Sequence, residues 1–167
     1  MAAWQVEFAI VPRRVLTGTA RVAVPRVIET DWWSSEGLPS DYAQRLAAVA
    51  PLGSSRATEL QTWGEADGNR VDVWSENGKA ARMTARVDVR RLDARFGAML
   101  LQFARVANAV LVRKDGLIVE PIVGAFGAAL RSSGAWQYAS DPAAHFASYS
   151  EPDDDAPDDR RSRPNER

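Results

Sequence analysis

The sequence predicts an α+β fold in which about three helices pack on a mainly antiparallel sheet, as a two-layer sandwich. Three observations favour this class. Strand-like segments arrive in hairpins, the helix-like segments are amphipathic, and no internal repeat is visible. Doubly wound folds alternate single strands with helices, so the hairpin pattern argues against that architecture.

The chain begins with a predicted strand and a short predicted helix. Apolar and polar residues alternate over residues 4–10, which is the period of a half-buried strand. Ser40 can cap a helix over residues 41–50, and Pro51 ends it. Between these elements, residues 13–37 predict no regular structure because prolines and polar residues interrupt their valines.

The first hairpin is the clearest local prediction. Two segments in which apolar and charged residues alternate flank Asn77 and Gly78. A two-residue loop would set Val73 opposite Arg82, and it would mix an apolar face with a charged one. We therefore predict a three-residue loop from Glu76 to Gly78, with the glycine in the left-handed conformation. This register sets two pairs opposite each other: Val71 with Met83, and Asp72 with Arg82.

A strong second helix and a second hairpin follow. Asp93 can cap a helix over residues 94–108. Apolar residues at helical spacing predict its buried face, namely Phe96, Met99, Leu100, Phe103 and Val106. The second hairpin joins residues 109–113 to 117–120 through a two-residue turn, Asp115-Gly116. Its strands are apolar at nearly every position, so we expect them to lie centrally and to be covered on both faces.

A third helix ends the predicted domain. Pro121 occupies its first position and Gly134 follows its end. Its predicted buried stripe is Ile122, Val123, Phe126, Ala129 and Leu130. A short helical turn starts near Asp141. We expect residues 1–150 to form one α+β domain and the charged tail, 151–167, to be disordered, because the tail lacks apolar residues that would offset the cost of ordering it.

The composition excludes several kinds of chemistry. The absence of cysteine among 167 residues rules out disulfides, thiolate catalysis, zinc fingers and iron–sulfur clusters. The single histidine, His145, rules out any site that needs two imidazoles. We expect no cofactor and no bound metal. No basic leader or membrane-length apolar run is visible, which predicts a cytoplasmic protein that does not associate with membranes.

The formal net charge of −1 hides an asymmetry between the two predicted parts. Residues 151–167 carry seven acidic and four basic residues, which leaves residues 1–150 with 17 basic and 15 acidic residues. Nineteen of the basic residues are arginine, and this bias, together with the abundant alanine, indicates a GC-rich bacterial gene. Three interpretations of the charged tail stay open: a solubilising segment, a transient contact with the basic body, or a docking peptide for a partner.

The polar face of the first hairpin is the leading candidate binding surface. Its members are Arg70, Trp74, Arg82, Arg86, Asp88 and Arg90. An arginine-rich and aromatic sheet face can contact a partner, or it can stack against a nucleotide or single-stranded nucleic acid. The alternative, which the pattern favours, is a solvated face with cross-strand ion pairs. The aromatic-rich strands of RNA-recognition domains are absent, so we favour a protein partner over nucleic acid.

The adjacent tryptophans Trp32 and Trp33 are the second candidate surface. Tryptophan is enriched at interface hot spots, so the pair can anchor a partner. The alternative is that at least one of the two closes the end of the core. We predict no catalytic residue: His145 is expected at the surface, and the carboxylates with a role in capping or turning leave too few for a metal site.

A resemblance adds to this interpretation. It rests on Trp63-Gly64, the run from Asn69 to Trp74, Gly78, and the strand from Arg86 to Arg90. Over roughly residues 60–150 the chain resembles small uncharacterised bacterial α+β proteins, some of which look like immunity proteins that neutralise a cognate toxin. The resemblance implies no catalytic residue. We expect a non-enzymatic cytosolic interaction protein of the immunity or accessory type, with a protein partner. The alternative is an anionic-ligand or nucleic-acid-binding module that uses the arginine-rich face.

Overall fold

The computed structural model describes residues 2–16, 22, 27–35, 37–55 and 57–147. In these residues, six antiparallel strands form one sheet in the order β2-β3-β4-β1-β5-β6. The strands are β1 (Gln5–Pro12), β2 (Leu60–Gly64), β3 (Arg70–Glu76), β4 (Lys79–Asp88), β5 (Ala109–Arg113) and β6 (Ile118–Val119). The helices are α1 (Tyr42–Ala47), α2 (Ala94–Val106), α3 (Val123–Arg131), α4 (Gly134–Ser140) and α5 (Pro142–Ala147). The predicted α+β class is confirmed, whereas the predicted disordered tail lies outside the described residues.

The main core lies between one face of the sheet and the helices. Alternate residues of β1 point into this core, and the ring of Phe8 lies 5.5 Å from the ring of Phe126 on α3. Leu46 from α1 and Phe103 from α2 are fully buried in the same cluster. Burying one such side chain contributes about 1.5–3 kcal/mol, so this layer is the main source of stability.

β1 is more deeply buried than the sequence predicted. All eight of its residues are buried, and the strand lies between β4 and β5 in the interior of the sheet. Its second face packs under a smaller apolar cluster to which the chain after β1 contributes Leu16, Val22, Val27 and Ile28. The predicted strand is confirmed, but the prediction that it is half-buried is wrong, because these residues cover its second face.

The first hairpin turns in two residues rather than three. Asn77 and Gly78 have φ values of 50° and 75°, as a type I′ turn requires, and Glu76 pairs with Lys79. The left-handed conformation predicted for Gly78 is confirmed, but the predicted three-residue loop is wrong.

A β-bulge in β4 explains why the apolar face stays intact despite the two-residue loop. Ala81 is an extra residue without a register partner, and beyond it Trp74 pairs with Arg82. The extra residue shifts the register between β3 and β4 by one residue. Beyond the bulge, the apolar side chains of β4 therefore lie on the same face of the sheet as those of β3. The predicted pairs are wrong for this reason. The observed pairs are Val71 with Ala85, Asp72 with Thr84, and Val73 with Met83.

The second hairpin has the three-residue loop that was predicted for the first. The Arg113 amide donates to the carbonyl of Leu117 at 2.9 Å, so Lys114, Asp115 and Gly116 form the loop, and the glycine has a φ of 87°. The predicted two-residue turn is wrong. The expected burial on both faces is confirmed for β5, whereas β6 has only two residues and lies at the edge of the sheet.

One of the two predicted helix caps is confirmed and the other is wrong. The Asp93 carboxylate accepts hydrogen bonds from the amides of Arg95 at 2.8 Å and Phe96 at 3.1 Å, which confirms the cap of α2. Ser40 does not cap α1, since Asp41 occupies the N-cap position. Val106 was predicted to be buried but is 54% exposed at the end of α2.

The third predicted helix is confirmed as α3, although it begins at Val123 and not at Pro121. A helix that was not predicted follows it: α3 ends at Arg131, and Ser133 caps α4 by accepting from the Trp136 amide at 3.2 Å. Gly134 follows the end of α3 as predicted, and it is also the first residue of α4. The inner part of the predicted α3 stripe is buried as expected, but Ile122 and Val123 are exposed. No helix in the described part of the chain has both the length and the apolar character needed to cross a membrane.

Candidate functional site

The predicted hairpin residues lie together on the sheet face opposite the main core. Across β3 and β4, Arg70 pairs with Arg86 and Trp74 pairs with Arg82. Asp88 lies on the same face at the end of β4, where it pairs with Gln5, and Arg90 follows just beyond the strand. Because β1 is the next strand, it brings Gln5 and Glu7 onto this face, and the sequence-based prediction had left both out. We call this set the polar sheet face.

Asp72 is the first buried carboxylate of the polar sheet face. Its side chain is 4% exposed and accepts hydrogen bonds from the Thr62 hydroxyl at 2.8 Å and the Arg70 Nε at 2.7 Å. Arg86 Nη2 lies 4.0 Å from its second oxygen. A buried carboxylate costs several kcal/mol to desolvate unless such partners surround it. Arg70 therefore serves the fold by neutralising Asp72.

Arg86 bridges two buried carboxylates on neighbouring strands. Besides Asp72 on β3, its Nε lies 3.3 Å from Glu7 Oε1 on β1, and the Glu7 side chain is 6% exposed. Lys114 Nζ, in the β5–β6 loop, lies 4.0 Å from the other Glu7 oxygen. Negative and positive groups thus alternate across four neighbouring parts of the sheet, and each charge has an opposite neighbour.

Asp88 and Arg90 form a separate pair at the end of β4. The Asp88 side chain is 3% exposed and accepts from the Arg90 amide at 2.9 Å and from Nη2 at 2.8 Å. Burial raises the pKa of Asp88, but the hydrogen bonds and positive charge of Arg90 outweigh it and hold the pKa below its ordinary value. The Arg90 guanidinium also stacks 3.8 Å from the ring centroid of Trp4. This pair fastens the start of β1 to the end of β4.

Arg82 is held by the segment that crosses the end of the sheet. Its guanidinium lies 5.1 Å from the ring centroid of Trp74, and its Nη1 donates to the carbonyl of Glu29. Its Nε is 3.9 Å from Asp31 Oδ1 and, among the described residues, makes no hydrogen bond. All four arginines of the polar sheet face therefore lie within 4.0 Å of a carboxylate. Their use in binding stays a prediction.

The two tryptophans of the second candidate surface have different positions. Trp33 is 2% exposed, its indole N–H donates to the carbonyl of Ile10 at 2.8 Å, and its amide donates to the bulge carbonyl of Ala81 at 2.8 Å. Trp32 is only partly buried, and its indole N–H donates to the carbonyl of Val27 at 2.8 Å. Trp33 thus closes the end of the core, which leaves Trp32 as the member that a partner can reach.

A surface that the sequence-based prediction missed runs along α2. Its outward positions recur every three or four residues and are Arg95, Ala98, Gln102 and Arg105, all of them exposed. Neither of the two arginines forms an ion pair with any residue in the described part of the chain. We call this set the α2 arginine stripe. Its spacing was visible in the sequence, but the absence of partners was not.

A groove of about 380 Å³ runs beside this stripe, between α1 and α2. Its lining is Arg45, Ala48, Val49, Arg95, Ala98, Met99, Gln102 and Phe103. The apolar members form the floor, and one arginine lies on each helix. Arg45 pairs with Asp41 at 2.6 Å and holds the pKa of that carboxyl below its ordinary value, whereas Arg95 has no described partner. We call this the α1–α2 groove.

A second concavity adjoins the groove at Val49, which lines both. It has a volume of about 480 Å³ and lies between the end of α1, the β2–β3 turn and the start of α2. Glu65 and Asp67 line one part, while Arg90 and Arg91 line another. Both signs of charge are present, so this cleft does not select a ligand of one charge.

His145 and the acidic residues are the remaining side chains that could bind a metal or take part in catalysis. The described residues contain no group of three or more histidine, aspartate or glutamate side chains placed to hold a metal ion. His145 is half-buried on α5, and its ring lies 5.6 Å from the ring of Tyr138. This contact between α4 and α5 explains its position by packing.

Comparison with known proteins leaves the chain to be interpreted from its own surfaces. No family model matches it, and searches of curated proteins and of solved structures found no match.

Proposed function

We propose that the protein is a non-enzymatic interaction protein of the bacterial cytosol, of the immunity or accessory type, and that it binds an acidic segment of a protein partner. The site is the α1–α2 groove. One observation carries this proposal: the groove combines an apolar floor with Arg95, a cation that no described residue neutralises.

The charge balance of the two arginine-rich surfaces favours the groove over the polar sheet face. An anionic partner at the sheet face would compete with Asp72 and Glu7, which already hold Arg70 and Arg86. At the groove, a partner carboxylate would meet Arg95 without displacing an internal one. Hydrogen bonds to charged groups contribute about 1.5–3 kcal/mol, and here that gain is not spent on breaking an existing pair.

The shape of the groove defines the partner further. Its floor includes Met99, which is 7% exposed, and Phe103, which is 2% exposed, so apolar partner side chains can fit over them. The stretch of α2 from Arg95 to Phe103 spans about 12 Å, or roughly two helical turns. An amphipathic helix with apolar residues at i and i+4 and acidic residues beside them matches this pattern. Methionine in the floor suits such a site because its side chain adapts to different partners.

The test uses a designed pair of helical peptides of equal length. One peptide carries leucines at i, i+3, i+4 and i+7 flanked by glutamates, and the other carries lysines in place of the glutamates. We expect the glutamate peptide to bind, in calorimetry and in amide-shift titrations, with the largest shifts at Val49 and Met99. Arg95→Glu should weaken binding about tenfold, the effect of 1.4 kcal/mol.

The matched control for this test is Arg105→Glu. Arg105 belongs to the same helix and the same stripe but does not line the groove. We expect it to change the affinity by less than about threefold, because Arg105 lies about 15 Å along the helix from Arg95, beyond the screening length of about 8 Å. Equal losses for Arg95→Glu and Arg105→Glu would contradict a groove and indicate general attraction to a basic helix.

The alternative function is an anionic-ligand or nucleic-acid-binding module on the polar sheet face. The observation that favours it is the buried Arg82 Nε, which makes no hydrogen bond among the described residues and lies beside Trp74. A single-stranded oligonucleotide distinguishes the two functions. Salt-dependent binding that is lost in Arg82→Gln, a change that leaves the pairs of Arg86 and Arg90 in place, together with no binding of the glutamate peptide, would support the alternative and contradict the groove.

A further inference from the structure

The end of the molecule where β1 and β6 finish exposes an unusual amount of apolar surface. Six large hydrophobic side chains in the described residues are well exposed, and four of them belong to this end. They are Val15 at 40%, Val106 at 54%, Ile122 at 55% and Val123 at 77% exposed. We call this set the apolar end patch.

Three bonded residues bring the apolar end patch together from distant parts of the chain. The Arg13 amide donates to the carbonyl of Asn108 at 2.9 Å, and the Arg13 guanidinium bonds the carboxylate of Glu120 at 2.9 Å. Each exposed aliphatic residue lies within three residues of one of these positions. Since the sheet register also pairs Pro12 with Ala109, the end of α2 and the start of α3 meet beside the end of β1.

The other two exposed aliphatic residues do not extend this patch. Leu52 bridges to Trp63 on β2, and Leu92 lies between Arg91 and Asp93 before α2, at the opposite end of the sheet. Single exposed hydrophobic residues are normal on a protein surface, whereas contiguous apolar patches mark interaction sites. Because four exposed hydrophobic residues lie at one end of the sheet, we expect a binding partner to cover them.

We propose that this partner is a second copy of this chain, and that the apolar end patch is the interface of a symmetric homodimer. A two-fold interface brings a surface patch against itself, so the patch must be complementary to itself. The ion pair between Arg13 and Glu120 satisfies this condition, because the two side chains are 47% and 53% exposed and their charges cancel. Across the two-fold axis, Arg13 of one copy can face Glu120 of the other. The α2 arginine stripe, by contrast, would repel its own copy.

The patch predicts a weak dimer. Stable interfaces bury about 800 Å² on each partner from roughly 20–30 residues, and this patch offers four aliphatic side chains around one ion pair. Its rim includes Arg105, an exposed cation next to Val106, which stays in solvent when two copies associate. We therefore expect a concentration-dependent equilibrium between monomer and dimer.

Sedimentation equilibrium of the full chain from about 5 µM to about 500 µM tests this proposal. The average mass should rise towards that of a dimer across the series. Val123→Glu should weaken the dimer at least tenfold, because it places an unpaired charge in the apolar contact. The matched control is Leu52→Glu, which changes a residue of similar exposure, 64%, at the other end of the sheet and should leave the dimer unchanged.

A charge exchange tests the two-fold arrangement. Arg13→Glu and Glu120→Arg should each weaken self-association by setting like charges together, and an equimolar mixture of the two variants should associate more tightly than either variant alone, because only the mixture places opposite charges across the interface. A chain that stays monomeric throughout the series, or equal effects of Val123→Glu and Leu52→Glu, would overturn the proposal. Peptide binding in the α1–α2 groove is measured separately, so the failure of either proposal leaves the other to be judged on its own result.

Discussion

The polar sheet face and the α2 arginine stripe both contain arginines, but of these two sets only the arginines of the sheet face are paired with carboxylates among the described residues. On the sheet face, Arg70 and Arg86 bond buried carboxylates at 2.7 and 3.3 Å. On α2, Arg95 and Arg105 form no ion pair with any described residue. The difference shows that an arginine-rich pattern alone does not define a binding surface. What decides availability is whether the fold places a carboxylate within reach.

The two kinds of secondary structure explain this difference. A strand inside a sheet sets each side chain about 5 Å from fixed neighbours on both sides, so charged residues are paired by the register. A side chain on the outer face of a surface helix has neighbours only on the same helix, because the rest of the protein contacts the opposite face. The only acid in or next to α2 is Asp93, and its carboxylate is used as the helix cap. The helix arginines therefore keep their charge for a partner.

The largest effect that tests this comparison is expected at Asp72. Asp72→Ala removes the carboxylate that neutralises Arg70, and it also leaves the Thr62 hydroxyl without its acceptor. Breaking a buried pair in this way typically costs about 3–5 kcal/mol in the free energy of unfolding. Urea denaturation measures the change, with Glu76→Ala, an exposed acid on the same strand, as the control. A loss for Asp72→Ala no larger than the control's would show that the sheet face is solvated and not built of buried pairs.

Short sequence patterns predicted the helices and hairpins of this fold well, because each of these elements depends mainly on residues that are close together in the chain. The Asp93 cap, the apolar face of α2 and the hairpins are examples. The loop lengths were exchanged between the two hairpins, since the argument from alternating faces did not include a bulge. Ala81 inserts into β4 and allows a two-residue turn while the apolar face is preserved.

The candidate site was harder to predict because it depends on contacts between distant residues. Glu7 and Arg86 are 79 positions apart, and only the order of strands shows that they are neighbours. The buried acids Asp72 and Asp88 were expected to face solvent, since the sequence does not show that arginine side chains cover them. The α2 arginine stripe was visible as a helical repeat, yet its significance depends on which carboxylates are absent from its surroundings.

An intermediate effect is expected at Asp88, and it depends on pH. Asp88 ionises below its ordinary pKa in the folded protein because of Arg90, while in the unfolded chain the pKa returns to about 3.9. The ionised form therefore contributes stability that is present above pH 4 and is lost as the pH falls through the folded pKa. Asp88→Asn should cost about 1–3 kcal/mol at pH 7, and this difference from the wild type should shrink below about pH 4.

The measurement for Asp88 is a series of urea titrations from neutral to acidic pH. Glu76→Gln is the control, since Glu76 is an exposed acid at the far end of the first hairpin and forms no ion pair with any described residue. Its stability relative to the wild type should not vary with pH in the same way. A constant difference between Asp88→Asn and the wild type across the range would mean that the Asp88–Arg90 pair contributes packing rather than charge.

The smallest change in the free energy of unfolding is expected at Arg95, and it distinguishes the two arginine surfaces most directly. Arg95→Gln removes a charge that no described residue balances, so the free energy of unfolding should stay within about 0.5 kcal/mol of the wild type. Arg95 lies in the first turn of α2, where a cation meets the positive end of the helix dipole, so any change should favour the folded state, and added salt should remove that gain. Arg70→Gln, the same substitution on the sheet face, should be clearly destabilising because it leaves Asp72 buried with fewer donors. Equal changes for the two variants would mean that burial, and not the presence of a partner, distinguishes the surfaces. A destabilising Arg95→Gln would in turn indicate that this arginine is already paired in the folded chain and is unavailable to a partner.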